Sequence, residues 1–345
     1  METPLLQRHC PRNILVFRAL QLGDMLCAVP ALRALRAACG DARISLVGLP
    51  WLRAFAARYP RYLDDFIPFP GFPGLPEQTP DIAAIPGFLA ELQARRFDLA
   101  IQLHGDGRLS NPLVALFDAG RNSGFRPPGE TATADGAFLP YPAQGHELRR
   151  LLALTAFLGA PAQGEHLEYP LLAAEREELA HSGLAAGLEA GGYLCLHPGA
   201  RSAARRWPAE CFAAVGNALQ AATGLPLVIT GSDAEAGLAA AVQRGLKAPA
   251  RNAAAPISAG ALAALLAGAR LVVCNDTGVA HLCAALRIPS VTLFRASAPE
   301  RWAALDRDLH RPVWAPPGHH ADEGLAAVLR EARALLAKPP SAAWR

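Results

Sequence analysis

Leu271-Val-Val-Cys-Asn275-Asp276-Thr277-Gly278-Val-Ala-His281 runs from an apolar stretch into Asp-Thr-Gly and then directly into helix-forming residues. A short apolar run bounded by turn residues reads as a strand covered on both faces, as in parallel sheets. A helix that starts at once leaves its first N–H groups unpaired at the mouth of the turn. Those groups and the helix dipole favour an anion, and the Thr277 hydroxyl adds a further donor. His281 falls one turn further in, near the same mouth. A plain capping turn can also read Asp-Thr-Gly, as can the aspartic proteases, but a protease sheet would not set it between a Val-rich strand and an amphipathic helix.

Outward from this turn the alternation repeats. Strands are expected over 193–196, 227–230, 271–274 and 290–294, with helices over 208–222, 234–246, 259–268 and 279–286. The first half shows the same pattern, with strands over 14–17, 44–47 and 99–103 and helices over 25–38, 51–59 and 82–95. Pro30 removes a backbone donor, so either residues 24–29 form a separate first turn or the helix kinks. Residues 68–80, with five prolines and two glycines, read as a surface loop. The glycine-rich stretch 183–192 marks a linker between domains over 1–182 and 193–320, and residues 321–345 read as a last helix and a polar tail. The class is α/β: two doubly wound domains facing across a cleft, with ligands held beyond the carboxyl ends of their strands.

Composition narrows the function. At 345 residues the chain can hold two ordinary cores. With 52% hydrophobic and 18% charged residues it is not a disordered chain. A net charge of +3 is too mild for a protein built around nucleic acid. The longest apolar stretch, 259–274, is interrupted by Arg270 and falls short of the roughly 20 residues a spanning helix needs. The N-terminus lacks the pattern of a signal peptide, so a cytoplasmic location is expected. Seven scattered cysteines, none in a C-x-x-C pair, fit reduced, structural thiols. No Cys or His cluster has metal-ligand spacing, and His319-His320 lies in a Pro/Gly loop, so no metal and no cofactor are expected. The dinucleotide fingerprint and the P-loop are both absent, which disfavours NAD dehydrogenases and P-loop NTPases.

Two further turns carry chemistry. After the first strand, Arg18-Ala-Leu-Gln-Leu-Gly23-Asp24 places a glycine for a tight turn and an aspartate at a helix start. Asp24 is there either a helix cap or a general base aimed at the ligand. In the second half, His197-Pro-Gly199-Ala-Arg201 and Arg205-Arg206-Trp207-Pro208 offer backbone N–H groups and guanidinium groups to an anion, or form a solvated basic loop.

In order along the chain, these motifs resemble glycosyltransferase family 9, the heptosyltransferase family of lipopolysaccharide core assembly. The resemblance is carried by Asn275 through Phe294, by Arg18 to Asp24 and on to Pro30-Ala-Leu-Arg-Ala-Leu35, and by Phe97-Asp98-Leu-Ala-Ile-Gln-Leu-His104-Gly with Ser110 and Gly124-Phe125. His197-Pro-Gly199-Ala, Arg205-Arg-Trp-Pro208 and Thr230-Gly-Ser-Asp-Ala-Glu235 complete it. It implies a GT-B fold, an acceptor-binding N-terminal half and a C-terminal half that binds a nucleotide-sugar, expected to be ADP-heptose. Asp24 matches the family's catalytic aspartate. Gly199, Arg205, Glu235, Ile257, Asp276, Thr277, Gly278 and His281 match the donor side, and Arg18 and His104 the acceptor side. Arg205 stands where the family usually has a lysine, and Arg295 where it often has a glycine. The implied acceptor is a lipid-linked or phosphorylated glycan, with peripheral contact at the inner membrane face. A nucleotide-sugar epimerase and a catalytically silent nucleotide-sugar binder are the alternatives.

Overall fold

The computed structural model describes residues 3–130, 137–318 and 321–339. The chain divides into two compact units, Met1–His166 and Leu167–Arg345.

The first unit is built on strands β1 (Asn13–Phe17), β2 (Arg43–Gly48), β3 (Asp65–Pro68), β4 (Leu99–Gln102), β5 (Asn122–Arg126) and β6 (Ala137–Pro140). Its helices are α1 (Leu5–His9), α2 (Leu22–Ala38), α3 (Leu52–Ala56), α4 (Ile85–Ala94), α5 (Ser110–Ala115) and α6 (Glu147–Leu158). The second unit opens with α7 (Ala173–Ser182) and carries β7 (Leu194–His197), β8 (Leu227–Gly231), β9 (Ala250–Ala254), β10 (Leu271–Asn275), β11 (Ser290–Phe294) and β12 (His310–Trp314). Around that sheet lie α8 (Ala209–Thr223), α9 (Ala236–Arg244), α10 (Ala259–Ala267), α11 (Gly278–Leu286), α12 (Pro299–Trp302) and α13 (Ala321–Leu336).

Both sheets are parallel throughout and share one strand order. The first runs β3-β2-β1-β4-β5-β6 and the second β12-β11-β10-β7-β8-β9. In each, the order reverses between the first and fourth strands of the unit. Ligands of open α/β sheets bind beyond the carboxyl ends of the strands at this reversal. The central strands are buried along their whole length, as in the LVVCN of β10, because helices cover both faces. The second core gathers Leu196, Phe212, Ile229, Val273 and Leu293.

Several expectations change. The boundary lies at residues 166/167, not at 183–192, and α7 belongs with the second unit. Its Glu178 carboxylate accepts from Ser258 N and Oγ at 2.7 and 2.5 Å, closing the start of α10. The glycine-rich stretch is a turn inside that unit, where Gly191 N bonds the Gly268 carbonyl. The last helix is not an appendage, since Val328, Ala332 and Leu335 of α13 lie in the second core. Pro30 sits inside one continuous α2, so residues 24–29 are not a separate turn. The proline-rich loop is not wholly superficial, because Phe69 and Leu75 are buried. The expected polar tail at 340–345 lies outside the described residues.

Candidate functional site

In the second unit, the turns after β7, β8 and β10 are joined at their carboxyl ends. Asn275, fully buried, is the link that sequence reasoning missed. Its Nδ2 donates to the Pro198 carbonyl at 2.8 Å, and its Oδ1 accepts from Trp207 N at 3.0 Å. One side chain thus pins both ends of the arginine-bearing turn to the Asp-Thr-Gly turn. Arg205 then reaches Asp276, with Nη1 3.4 Å from Oδ2. Asp276 is buried, and Ser297 Oγ donates to the same oxygen. Ser297, in the loop after β11, had no signal in the local sequence.

Gly199 and Glu235 join the next pair of turns. A Cβ on Gly199 would stand 2.2 Å from Glu235 Oε1, so only glycine lets the carboxylate lie there. Glu235 Oε2 accepts from both N and Oγ of Ser232 at 2.9 Å, which closes the turn after β8. His197, at the end of β7, contacts Thr230 Oγ1 at 3.1 Å. Burial holds its basicity below the ordinary value, against the opposing pull of Glu235.

Thr277 caps α11 with extended backbone and makes no side-chain capping bond. The Gly278 and Val279 amides open that helix, while the Ala280 amide already bonds the Thr277 carbonyl. His281 is buried one turn in, with the Trp302 ring edge-on at 6.2 Å. Ile257 is half-buried in the loop after β9, a strand next to β8 in the same sheet.

In the first unit, the turns after β1 and β4 meet at the corresponding reversal. Asp24 is not the helix cap: Gln21 is, and Gly23 and Asp24 form the first turn of α2. Arg18 is 1% exposed and faces inward. Its Nε and Nη2 donate to the Asp24 carbonyl at 3.1 and 2.9 Å, and Nη1 donates to the Leu103 carbonyl. The buried His104 ring stacks on Phe17 at 5.3 Å, and its Nδ1 accepts from Ala19 N at 3.3 Å. Burial, with the Arg18 charge, lowers its pKa to about 3, so the ring is neutral at physiological pH. Glu77, carried in by the proline-rich loop, places Oε2 3.8 Å from His104 Nε2. Gln102 donates to the His104 carbonyl and to Ser110 Oγ and accepts from Phe125 N, tying β4, β5 and α5 together.

Such a strand order, with a basic, amide-rich turn at the reversal, suits an anionic ligand. The family model of glycosyltransferase family 9 (heptosyltransferase) matches residues 87–319. The chain belongs to glycosyltransferase family 9. It is therefore a glycosyltransferase with a GT-B fold. A search among curated proteins finds no match. Among solved structures, it resembles a family 9 glycosyltransferase from Veillonella parvula DSM 2008, at 20% identity and a TM-score of 0.78, over 97% of this chain and 98% of that one. It also resembles the E. coli ADP-heptose lps heptosyltransferase II, at 24% identity and 0.73, over 94% and 98%. A third likeness is to E. coli heptosyltransferase WaaC with ADP, at 20% and 0.67, over 93% and 100%.

Among the described residues, no group of three or more His, Cys, Asp or Glu is placed to hold a metal ion, and no helix is long and apolar enough to cross a membrane. His319 and His320 lie outside the described residues.

Proposed function

We propose that this family 9 enzyme moves heptose from ADP-heptose to a lipopolysaccharide-core or related glycan, with inversion at the anomeric carbon. The Arg205–Asp276 pair beside the open start of α11 carries the reading. The diphosphate would lie against Arg205 and the Gly278 and Val279 amides, where both the guanidinium and the helix dipole favour negative charge. Asp276 carries the wrong charge for a phosphate; it would hold Arg205 in place and accept a hydroxyl of the donor. Glu235 and His281 would face the same donor, and Ile257 would shelve its base. E. coli heptosyltransferase structures with ADP and with ADP-2-deoxy-2-fluoro heptose support this choice of nucleotide.

Asp24 would take the proton of an acceptor hydroxyl held by the first unit. The hydroxyl oxygen then bonds the anomeric carbon as that carbon's bond to the diphosphate oxygen breaks. The leaving ADP gains negative charge, which Arg205 and the α11 amides stabilise. The enzyme would work in the cytoplasm, touching the inner membrane face peripherally to reach a lipid-linked acceptor.

Two measurements test this. ADP should raise the melting temperature, as any ligand selective for the native state does, and Asp276→Ala with Gly278→Val should abolish the rise. Asp24→Asn should bind ADP normally yet lose about 10²–10⁴-fold in turnover. ADP found in the first unit, or an Asp24→Asn enzyme with more than about a tenth of normal turnover, refutes the reading.

A further inference from the structure

Behind Asp24 stands a chain of buried charges that the transfer reaction as written does not use. Arg18 grips the Asp24 carbonyl with two N–H groups, so the main chain beneath the proposed base is held by one side chain. Arg18 Nη2 also lies 3.4 Å from Glu147 Oε1, on the first residue of α6. The second Glu147 oxygen lies 3.3 Å from Arg150 Nη1, one turn along the same helix. Arg150 donates to the Ala143 carbonyl at 3.1 Å and stacks on Tyr141 at 5.2 Å. Arg18, Glu147 and Arg150 are all buried.

An arginine does not shed its proton, so a buried one needs a counter-charge to stay in place. Glu147 gives Arg18 that counter-charge, and Arg150 anchors Glu147 from the far side. The order of the chain matters: Arg18 touches the turn that bears Asp24, while the side chain that orients Arg18 comes from a helix more than a hundred residues away in sequence.

We propose that Glu147 is a positioning residue: through Arg18 it fixes the first turn of α2 and thereby the placement of Asp24. This rests on Asp24 being the base, but the local mechanical claim can be measured without that assumption. Displacing a reacting group by about 1 Å can cost on the order of 100-fold in rate, so a loosened turn should be visible in turnover.

The test uses the full chain, with ADP-heptose as donor and a heptose-deficient lipopolysaccharide core as acceptor, following ADP release. Glu147→Ala should lower kcat about 10–100-fold with little change in the donor KM. Glu147→Asp, which keeps the charge, should recover part of the loss. Hydrogen exchange at the Met25 amide, which bonds the Gln21 carbonyl in the first turn of α2, should quicken in Glu147→Ala. Glu147→Gln, of equal size, replaces Glu147→Ala should that variant not fold. Glu147→Ala should slow an Asp24→Asn enzyme no further, because the group it positions is already disabled. Unchanged kcat and exchange, or a full multiplicative loss in the double variant, overturns the proposal. Normal turnover in Asp24→Asn instead defeats the base assignment, and the exchange measurement still decides whether Glu147 holds that turn.

Discussion

Arg205 Nη1 lies 3.4 Å from Asp276 Oδ2, joining an arginine side chain that is 40% exposed to an aspartate side chain that is 3% exposed. The buried partner holds the arginine, whose side chain is otherwise partly exposed. The basic loop read from the sequence is therefore anchored on the Asp-Thr-Gly turn.

That anchoring sets the outcome of changing Arg205. A charge-assisted hydrogen bond is worth roughly 1.5–3 kcal/mol, so Arg205→Ala should weaken ADP binding about 10–150-fold by calorimetry. It should also lower the melting temperature, because Asp276 loses its cation. Arg205→Lys should restore much of the affinity. Unchanged affinity in Arg205→Ala would move the phosphate contact to Arg201 or Arg206.

Asn275 should matter more to stability than to charge. Asn275→Leu leaves the Trp207 amide and the Pro198 carbonyl without their partner in a buried site. Each such group costs about 1–3 kcal/mol, readable by urea unfolding. ADP affinity should fall as well, because the turn bearing Arg205 is released at both ends. A fully stable Asn275→Leu with normal affinity would show that the bridge is dispensable.

Gly199→Ala tests the meeting of the turns after β7 and β8. The new methyl would strike Glu235 Oε1, and the flexible carboxylate would yield by leaving Ser232. Loss of that cap should cost about 0.5–2 kcal/mol. Glu235→Ala should absorb most of this cost in the double variant, since nothing then remains to strike. Equal losses with and without Glu235 would place the clash elsewhere.

The buried histidines set a pH dependence. Burial lowers His104 to about 3 and His310 to about 4, below the ordinary value of 6.5. Between those values the unfolded chain binds the proton and the folded one does not, so protonation favours unfolding. Stability is therefore full above about pH 6.5 and falls as the pH drops, by up to about 1.4 kcal/mol per pH unit for each histidine. Urea midpoints at pH 7, 6 and 5 should decline in that order, and a level series would contradict the neutral, buried rings.

How far the sequence could be read depended on where each residue lies in its sheet. Strands β1, β2, β7, β8, β10 and β11 stand near the middle, buried on both faces, and their apolar runs are visible without a structure. The missed strands β3, β6, β9 and β12 form sheet edges, where half-exposed residues such as those of Ala250–Ala254 leave no long apolar run to detect. β5 reads Asn-Ser-Gly-Phe-Arg and is buried through its neighbours rather than its own composition. The domain boundary was misplaced for a related reason. Glycines mark a turn in any context, and the packing of α7 on α10, with Glu178 against Ser258, shows which unit α7 joins.

By itself the sequence determined the α/β class, the two repeating halves and the order of the turns that carry Asp24, Gly199, Arg205, Glu235 and Asp276–Gly278, because strand periodicity and turn chemistry are local properties of a few consecutive residues. Tertiary structure alone decided which turns are neighbours. The reversal of strand order sets β7 beside β10, which lets Asn275 reach Pro198 and Trp207 and lets Asp276 reach Arg205. The same reversal sets β1 beside β4, where Arg18 turns inward to the carbonyls of Asp24 and Leu103. Sequence shows that Arg18 and Glu147 are charged; only the packing of α6 near α2 places one charge against the other, because burial makes an unneutralised arginine too costly to leave alone.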